Sequence, residues 1–336
     1  MCFRFIVIIM STQTKEFIKT LQYDNKQYQL QSLLDNKANI NGYDTYNPLI
    51  ISIKRKHSYN AKFLVMSNAD LNYKNSDNHT PLSLSILKGL SDIAILLIKQ
   101  GANCNVKVNN GKTPLMLTTE CNNIKVLQLL LDKNIDVDEK DVCGNTALMW
   151  ASRMGHTNQV KKLIRSKAHV NIKSNFGTTP LMVASYRNRI ETVKILIENK
   201  ASINTINYDG DTALILGSYN RCTNIVQLLI QYIANIEHKN RVGLNCLDYC
   251  IKNNYMDILE IILHYYKFNI WNNNEFEDKI HDLKSRYFND YYIDKIIIQF
   301  KKTEHLVEIM TLPNGPLQDL FMLQHELSNA IGILNI

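Results

Sequence analysis

The chain contains no His-Glu-x-x-His, no Gly-x-Ser-x-Gly elbow and no glycine-rich phosphate loop. Zinc-protease, serine-hydrolase and nucleotide-binding chemistries therefore lack the residue patterns that they need. Cys-x-x-Cys pairs are missing as well, and the cysteine count of 7 is odd, so no closed disulfide framework is expected. Cys246 and Cys250 stand four residues apart, but no two further ligands accompany them, and no metal site is expected. The cysteines read as small apolar residues of a reducing compartment.

Long apolar runs are also missing. The densest, Phe3 to Ile9, is far short of the ~20 residues that cross a bilayer. With Arg4 as its one basic residue and no small-x-small cleavage site, it does not read as a secretion signal. Residues 1–14 are assigned to an N-terminal tail, with Met10 as the expected start of translation. A formal charge of +7 invites a nucleic-acid reading, yet the lysines look scattered, and Lys54-Arg55-Lys56-His57 is the densest basic run. Nucleic-acid binding is kept only as a lesser alternative.

What the chain does have is a period. Asn47-Pro48-Leu49, Thr80-Pro81-Leu82, Thr113-Pro114-Leu115, Thr146-Ala147-Leu148, Thr179-Pro180-Leu181, Thr212-Ala213-Leu214 and Asn245-Cys246-Leu247 recur at one unvarying step, that from Thr80 to Thr113. Leu64, Leu97, Leu130, Leu163, Leu196, Leu229 and Ile262 keep the same step, as do Ala69, Ala102, Ala168, Ala201 and Ala234, interrupted by Ile135. A third column, Gly111, Gly144, Gly177, Gly210 and Gly243, opens with Asn78, which suits a turn residue at positive φ. Strict repetition at this spacing signals a stacked array in which each unit touches only its neighbours.

Within one unit, Thr146 is placed to cap a short inner helix that ends near Gly155. Val160, Leu163 and Ile164 then mark a second helix from about Thr157, and Asn175-Phe176-Gly177 turns into the next copy. The unit is helix, tight turn, helix, projecting turn. Trp150 shares its column with Leu84, Leu117, Val183, Leu216 and Tyr249 and is read as core.

This layout resembles the ankyrin repeat, whose unit has the same length and opens on a Thr-Pro-Leu-His-x-Ala corner. The closest copy runs from Thr146-Ala147-Leu148 through Trp150-Ala151 to Gly155-His156, and His156 is expected to be structural. The corner histidine is replaced throughout, by Ser83, Met116, Met149, Met182, Ile215 and Asp248, so Thr–His bracing is expected to be absent, with apolar packing in its place at several corners. The resemblance implies an all-α solenoid over residues 15–272, opened by a degenerate first repeat, with a helical cap or tail over 273–336. In its Asn-, Lys- and Ile-rich style the chain is similar to ankyrin-repeat proteins of large AT-rich DNA viruses, which implies a host-directed or virion-internal interaction.

The resemblance further implies a non-enzymatic scaffold that holds a protein partner, host or viral, on a concave face of inner helices and turn tips. Carried over by position, the candidate partner-binding residues are Arg153, Met154, Phe176, Tyr186, Arg187, Tyr208 and Tyr219. Aromatic and arginine side chains are the usual energetic anchors of interfaces. No cofactor, metal or membrane is called for, and a monomer in the host cytoplasm is expected. One alternative is a substrate adaptor that recruits a ubiquitin ligase through the C-terminal segment, where Leu312-Pro313 and the following apolar face faintly echo an F-box. Hydroxylation of a turn asparagine such as Asn171 is a further, minor alternative.

Overall fold

A computed structural model describes residues 12–42, 46–133, 135–269 and position 281. The chain divides into two compact units, residues 1–250 and 251–336. The first unit is built of helix pairs: α1 (Thr12–Thr20) with α2 (Gln27–Asp35), α3 (Pro48–Lys54) with α4 (Ser58–Met66), and α5 (Pro81–Leu87) with α6 (Ser91–Lys99). The series continues with α7 (Pro114–Glu120) and α8 (Ile124–Leu131), α9 (Ala147–Met154) and α10 (Thr157–Arg165), and α11 (Pro180–Tyr186) and α12 (Ile190–Glu198). It closes with α13 (Ala213–Tyr219), α14 (Thr223–Gln231) and α15 (Cys246–Lys252). In the second unit, α16 (Met256–Asn269) buries Ile258, Leu259 and Ile262. The described residues contain no strand.

Two boundaries differ from the sequence assignment. Helix α1 opens at Thr12, inside the stretch assigned to the tail, and Thr14 is buried where its Oγ1 accepts the Asn39 N–H at 3.0 Å. The division at residue 250 falls inside the stretch assigned to the array. The N-terminal apolar run and, apart from position 281, the cap or tail assigned to 273–336 lie outside the described residues.

The inner helices are too short to be stable alone in water. Their starts are fixed by capping. Asn47 accepts the Ile50 N–H at 3.0 Å, and Thr80, Thr113, Thr146, Thr179 and Thr212 each accept the N–H three residues on at 3.2–3.4 Å. Such a cap contributes about 1 kcal/mol. Proline at the first helical position pre-sets φ in α3, α5, α7 and α11.

The missing corner histidine is replaced in two ways. Met116, Met149, Met182 and Ile215 are indeed buried. At three corners, however, the replacing side chain also accepts the cap N–H, and at one of them it is Met182 Sδ that accepts the Thr179 N–H at 3.4 Å. Ser83 Oγ accepts the Thr80 N–H at 2.9 Å, and Asp248 Oδ2 accepts the Asn245 N–H at 2.9 Å. Each of these two closes a reciprocal capping box.

The outer helices stop for a different reason. The N–H groups of Ala69, Ala102, Ala168, Ala201 and Ala234 reach back to the carbonyls of Leu64, Leu97, Leu163, Leu196 and Leu229. The residue before each alanine has positive φ: Asn68, Gly101, Lys167, Lys200 and Ile233. This is the Schellman termination, and the buried alanine fits the tight space behind it. Ile135, which breaks the column, is only half-buried and bonds to Lys133 instead.

The leucine column supplies the core, with Leu64, Leu97, Leu130, Leu163, Leu196 and Leu229 at zero exposure. Neighbouring inner helices are in more extensive contact with one another than neighbouring outer helices are. Two histidines of one column tie adjacent repeats: His57 Nδ1 lies 3.0 Å from the Leu21 carbonyl and His156 Nδ1 lies 2.7 Å from that of Thr119. His156 is therefore structural.

Candidate protein-binding face

The projecting turns are rigid for a local reason. Asp141 Oδ1 accepts the N–H groups of Cys143 and Asn145, Ser174 Oγ those of Phe176 and Thr178, and Asn207 Oδ1 those of Asp209 and Asp211, all at 2.7–3.2 Å. Asn240 does the same for Val242 and Leu244. A short polar side chain two and four residues before the N–H groups it binds is the Asx or Ser turn device. Val108 lacks the group, and its turn forms a single 3₁₀ turn, Asn109–Gly111, instead.

Successive tips are then laced together. The N–H groups of Val142, Asn175, Tyr208 and Arg241 donate to the carbonyls of Asn110, Cys143, Phe176 and Asp209, each at 3.0 Å. Glycine is required at the tip twice over. Gly144 and Gly177 have φ of 77° and 74°, and a Cβ would run into Asn175 and Tyr208 respectively.

The seven candidate residues stand at the ends of inner helices and on turn tips, and all but Tyr186 are exposed. Phe176 and Tyr208 occupy adjacent tips at 63% and 57% exposure, with Val142 and Val242 extending the apolar line on either side. Tyr219 is 50% exposed although its ring meets Tyr249 edge-on at 5.4 Å. Met154 sits at the end of α9, and Tyr186 is half-buried beneath Arg187, whose Cζ is 5.6 Å from the ring centroid. Stacking against a neighbouring ring and solvent exposure therefore coexist in Tyr219.

Trp150 departs from the core assignment. Leu84 and Leu117 of its column are buried, but Trp150 is half-buried, as are Val183, Leu216 and Tyr249. Its indole Nε1 donates to Asp141 Oδ2 at 3.0 Å, while Lys112 Nζ lies 3.8 Å and Arg153 Cζ 5.5 Å from the ring centroid. Cations at this range are attracted by the ring quadrupole. Three repeats on, Tyr249 OH accepts the Asn240 Nδ2–H at 3.0 Å in the same relation. The signal in the sequence is an aromatic residue with a polar edge in a column otherwise filled by leucine and valine.

The lysines are less scattered than they read. Lys74, Lys107, Lys140, Lys173 and Lys239 share one column. Lys107 Nζ donates to the carbonyl of Lys140, Lys140 to that of Lys173 and Lys173 to that of Ile206, at 2.8–3.0 Å. These ammonium groups fasten one repeat to the next. Asn171 is similarly engaged at both ends of its amide, accepting the Ser202 N–H at 2.7 Å and donating to the Lys200 carbonyl at 3.1 Å.

Toward the N-terminal repeats the face holds a shallow concavity of about 530 Å³ between Lys54, Asp77, His79 and Lys88. Burial holds His79 below its usual range, against the pull of Asp77 and with the help of Lys54. Burial also raises the thiols of Cys104 and Cys121, and that of Cys246 strongly, which disfavours the nucleophilic thiolate. Among the described residues no group of three or more His, Cys, Asp and Glu is placed to hold a metal. None of the described helices is long and apolar enough to cross a membrane.

Stacked helix pairs with braced, interlaced turns define a repeat scaffold, a class whose exposed tips and inner helices form an extended recognition surface. The family model for ankyrin repeats (3 copies) matches residues 18–108, 61–141, 96–174 and 148–240, and the chain belongs to the ankyrin repeat family. A crystal structure of the ankyrin repeat domain of Bcl-3, described as a unique member of the IkappaB protein family, has the same fold. It aligns with a TM-score of 0.57 and 24% identity over 66% of this chain and 99% of that one. No curated protein matches the chain in sequence. Ankyrin repeats are in general protein–protein interaction modules and typically not enzymes.

Proposed function

We propose that the chain is a non-enzymatic scaffold that holds a protein partner, host or viral, along the inner-helix and turn-tip side of its array, inside the host cell. The observation that carries this reading is the line of exposed aromatic and arginine side chains on consecutive repeats. Phe176, Tyr208 and Tyr219 stand at least half exposed, with Arg153 and Arg187 beside them. Rigidity supports it, because braced and laced tips lose little freedom on binding.

The reading is tested by quantitative affinity capture from cell lysate with three forms of the full chain. These are the native protein, Phe176→Ala/Tyr219→Ala, and an outer-helix control, Lys194→Ala/Glu198→Ala. Proteins retained by the native form and the control but lost from the double alanine variant are the expected result. Identical profiles for all three would rule this face out.

A further inference from the structure

Three guanidinium groups gather where α9 and α11 end. The Arg153 and Arg187 groups lie 5.5 and 5.6 Å from the ring centroids of Trp150 and Tyr186. Arg189 Nε donates to the Arg153 carbonyl at 3.2 Å, which brings a third cation to the same place. All three residues are exposed, and none forms an ion pair among the described residues. Three carboxylates of these and the adjoining repeats are already engaged. Asp141 binds its own turn and the Trp150 indole, Glu120 pairs with Lys112 at 2.8 Å, and Glu191 pairs with Lys194 at 3.0 Å.

A guanidinium held beside a ring keeps N–H donors for a planar acceptor such as a carboxylate. The ring contact also restrains the side chain before any partner arrives. Arg153 in the last turn of α9 and Arg187 at the C-cap of α11 complement two helix dipoles, which leaves Arg189 as a third cation without counter-charge.

We propose that this part of the face receives a protein segment in which carboxylates alternate with apolar side chains. The carboxylates would meet Arg153, Arg187 and Arg189, and the apolar groups would meet Trp150, Tyr186 and Phe176. The proposal rests on the protein-binding reading above and specifies its partner chemistry. A polynucleotide fits less well, because a polyanion needs an unbroken basic track. Here Lys54 and Lys112 are paired with Asp77 and Glu120, and Asp209 and Asp211 follow in the next repeat.

The experiment is selection of a random short-peptide library displayed on phage against the full chain, followed by affinity measurements on the selected peptides. Each is measured against the native protein, Arg153→Glu/Arg187→Glu, and Phe176→Ala/Tyr219→Ala, with thermal melting to confirm that all three are folded. Enrichment of Asp and Glu beside apolar residues is expected, with binding at least about tenfold weaker to the charge-reversed form. Replacing the peptide's carboxylates by amides should cost as much. Selection without acidic enrichment, indifference to the charge reversal, or equal binding of single-stranded DNA would overturn the proposal. If non-acidic peptides are lost from the Phe176/Tyr219 variant, the protein-binding reading survives and only the acidic partner fails; if neither variant matters, both fail.

Discussion

Asp141 and Trp150 are joined by a hydrogen bond of 3.0 Å from the indole Nε1 to Oδ2, so one carboxylate braces a turn and aims the largest aromatic side chain of the inner face. The same group accepts the N–H groups of Cys143 and Asn145 at 2.9 and 2.8 Å. Asp141→Ala leaves four donors without an acceptor, the Asn145 Nδ2–H at 3.3 Å among them, and is expected to cost about 2–3 kcal/mol in urea unfolding. Trp150→Phe removes only one bond and should cost about 1 kcal/mol. The double variant should fall short of the sum, since the two share an interaction. Equal losses for the two single variants would contradict the division of labour.

Gly144 and Gly243 separate two reasons for glycine. Both have positive φ, 77° and 78°, but a Cβ would collide with Asn175 at Gly144 and meet nothing within 4 Å at Gly243. Gly243→Ala should lose about 1–2 kcal/mol from the left-handed backbone alone. Gly144→Ala should lose at least about 1 kcal/mol more through overpacking. Comparison of the two denaturation midpoints checks it, and equal midpoints would remove the steric component.

Ile233 is a β-branched residue at φ 61°, 77% exposed, at a helix terminus where Asn68 and Gly101 stand in sister repeats. Ile233→Asn relieves the strain and loses little burial. A gain of about 1 kcal/mol is expected, read as a rise in melting temperature.

His169 is hydrogen-bonded to the Asp138 carboxylate of the preceding repeat, and that bond, reinforced by the charges of Asp138 and Asp136, raises its pKa above the ordinary 6.5. A raised folded-state pKa means that the tie is fully present below the unfolded value and fades as the pH climbs through the folded one. NMR titration should find His169 half-protonated above pH 6.5, and Asp138→Asn should bring it back toward that value. The side chain is exposed, so the effect on overall stability is small. A His169 shift that is unchanged in Asp138→Asn would refute the assignment.

Much of the fold was legible because its determinants are local and repeated. Thr80, Thr146 and Thr212 announce their capping role, and Asn78 and the glycine column their positive φ, without reference to any distant residue. The break at Ile135 was visible as an interruption of the alanine column. The candidate face was legible only as positions. Its chemistry was partly misjudged at Trp150, whose column suggested burial, and at the lysines, whose shared step from Lys107 to Lys140 to Lys173 escaped notice. Arg189 was not singled out at all, because its link to the Arg153 carbonyl joins consecutive repeats.

Periodicity by itself determined the helix pairs, their caps, their terminations and the buried leucine column. Repetition at a fixed step puts equivalent side chains in equivalent surroundings, so each copy confirms the others. The tertiary structure alone decided which non-repeating side chains face outward and what they touch. Trp150 leans on Lys112, Arg153 on Trp150, and Arg187 on Tyr186, while Arg189 reaches the Arg153 carbonyl. The physical reason is that burial and charge pairing at such positions depend on what the adjacent repeat presents across the stack, and that differs from one copy to the next.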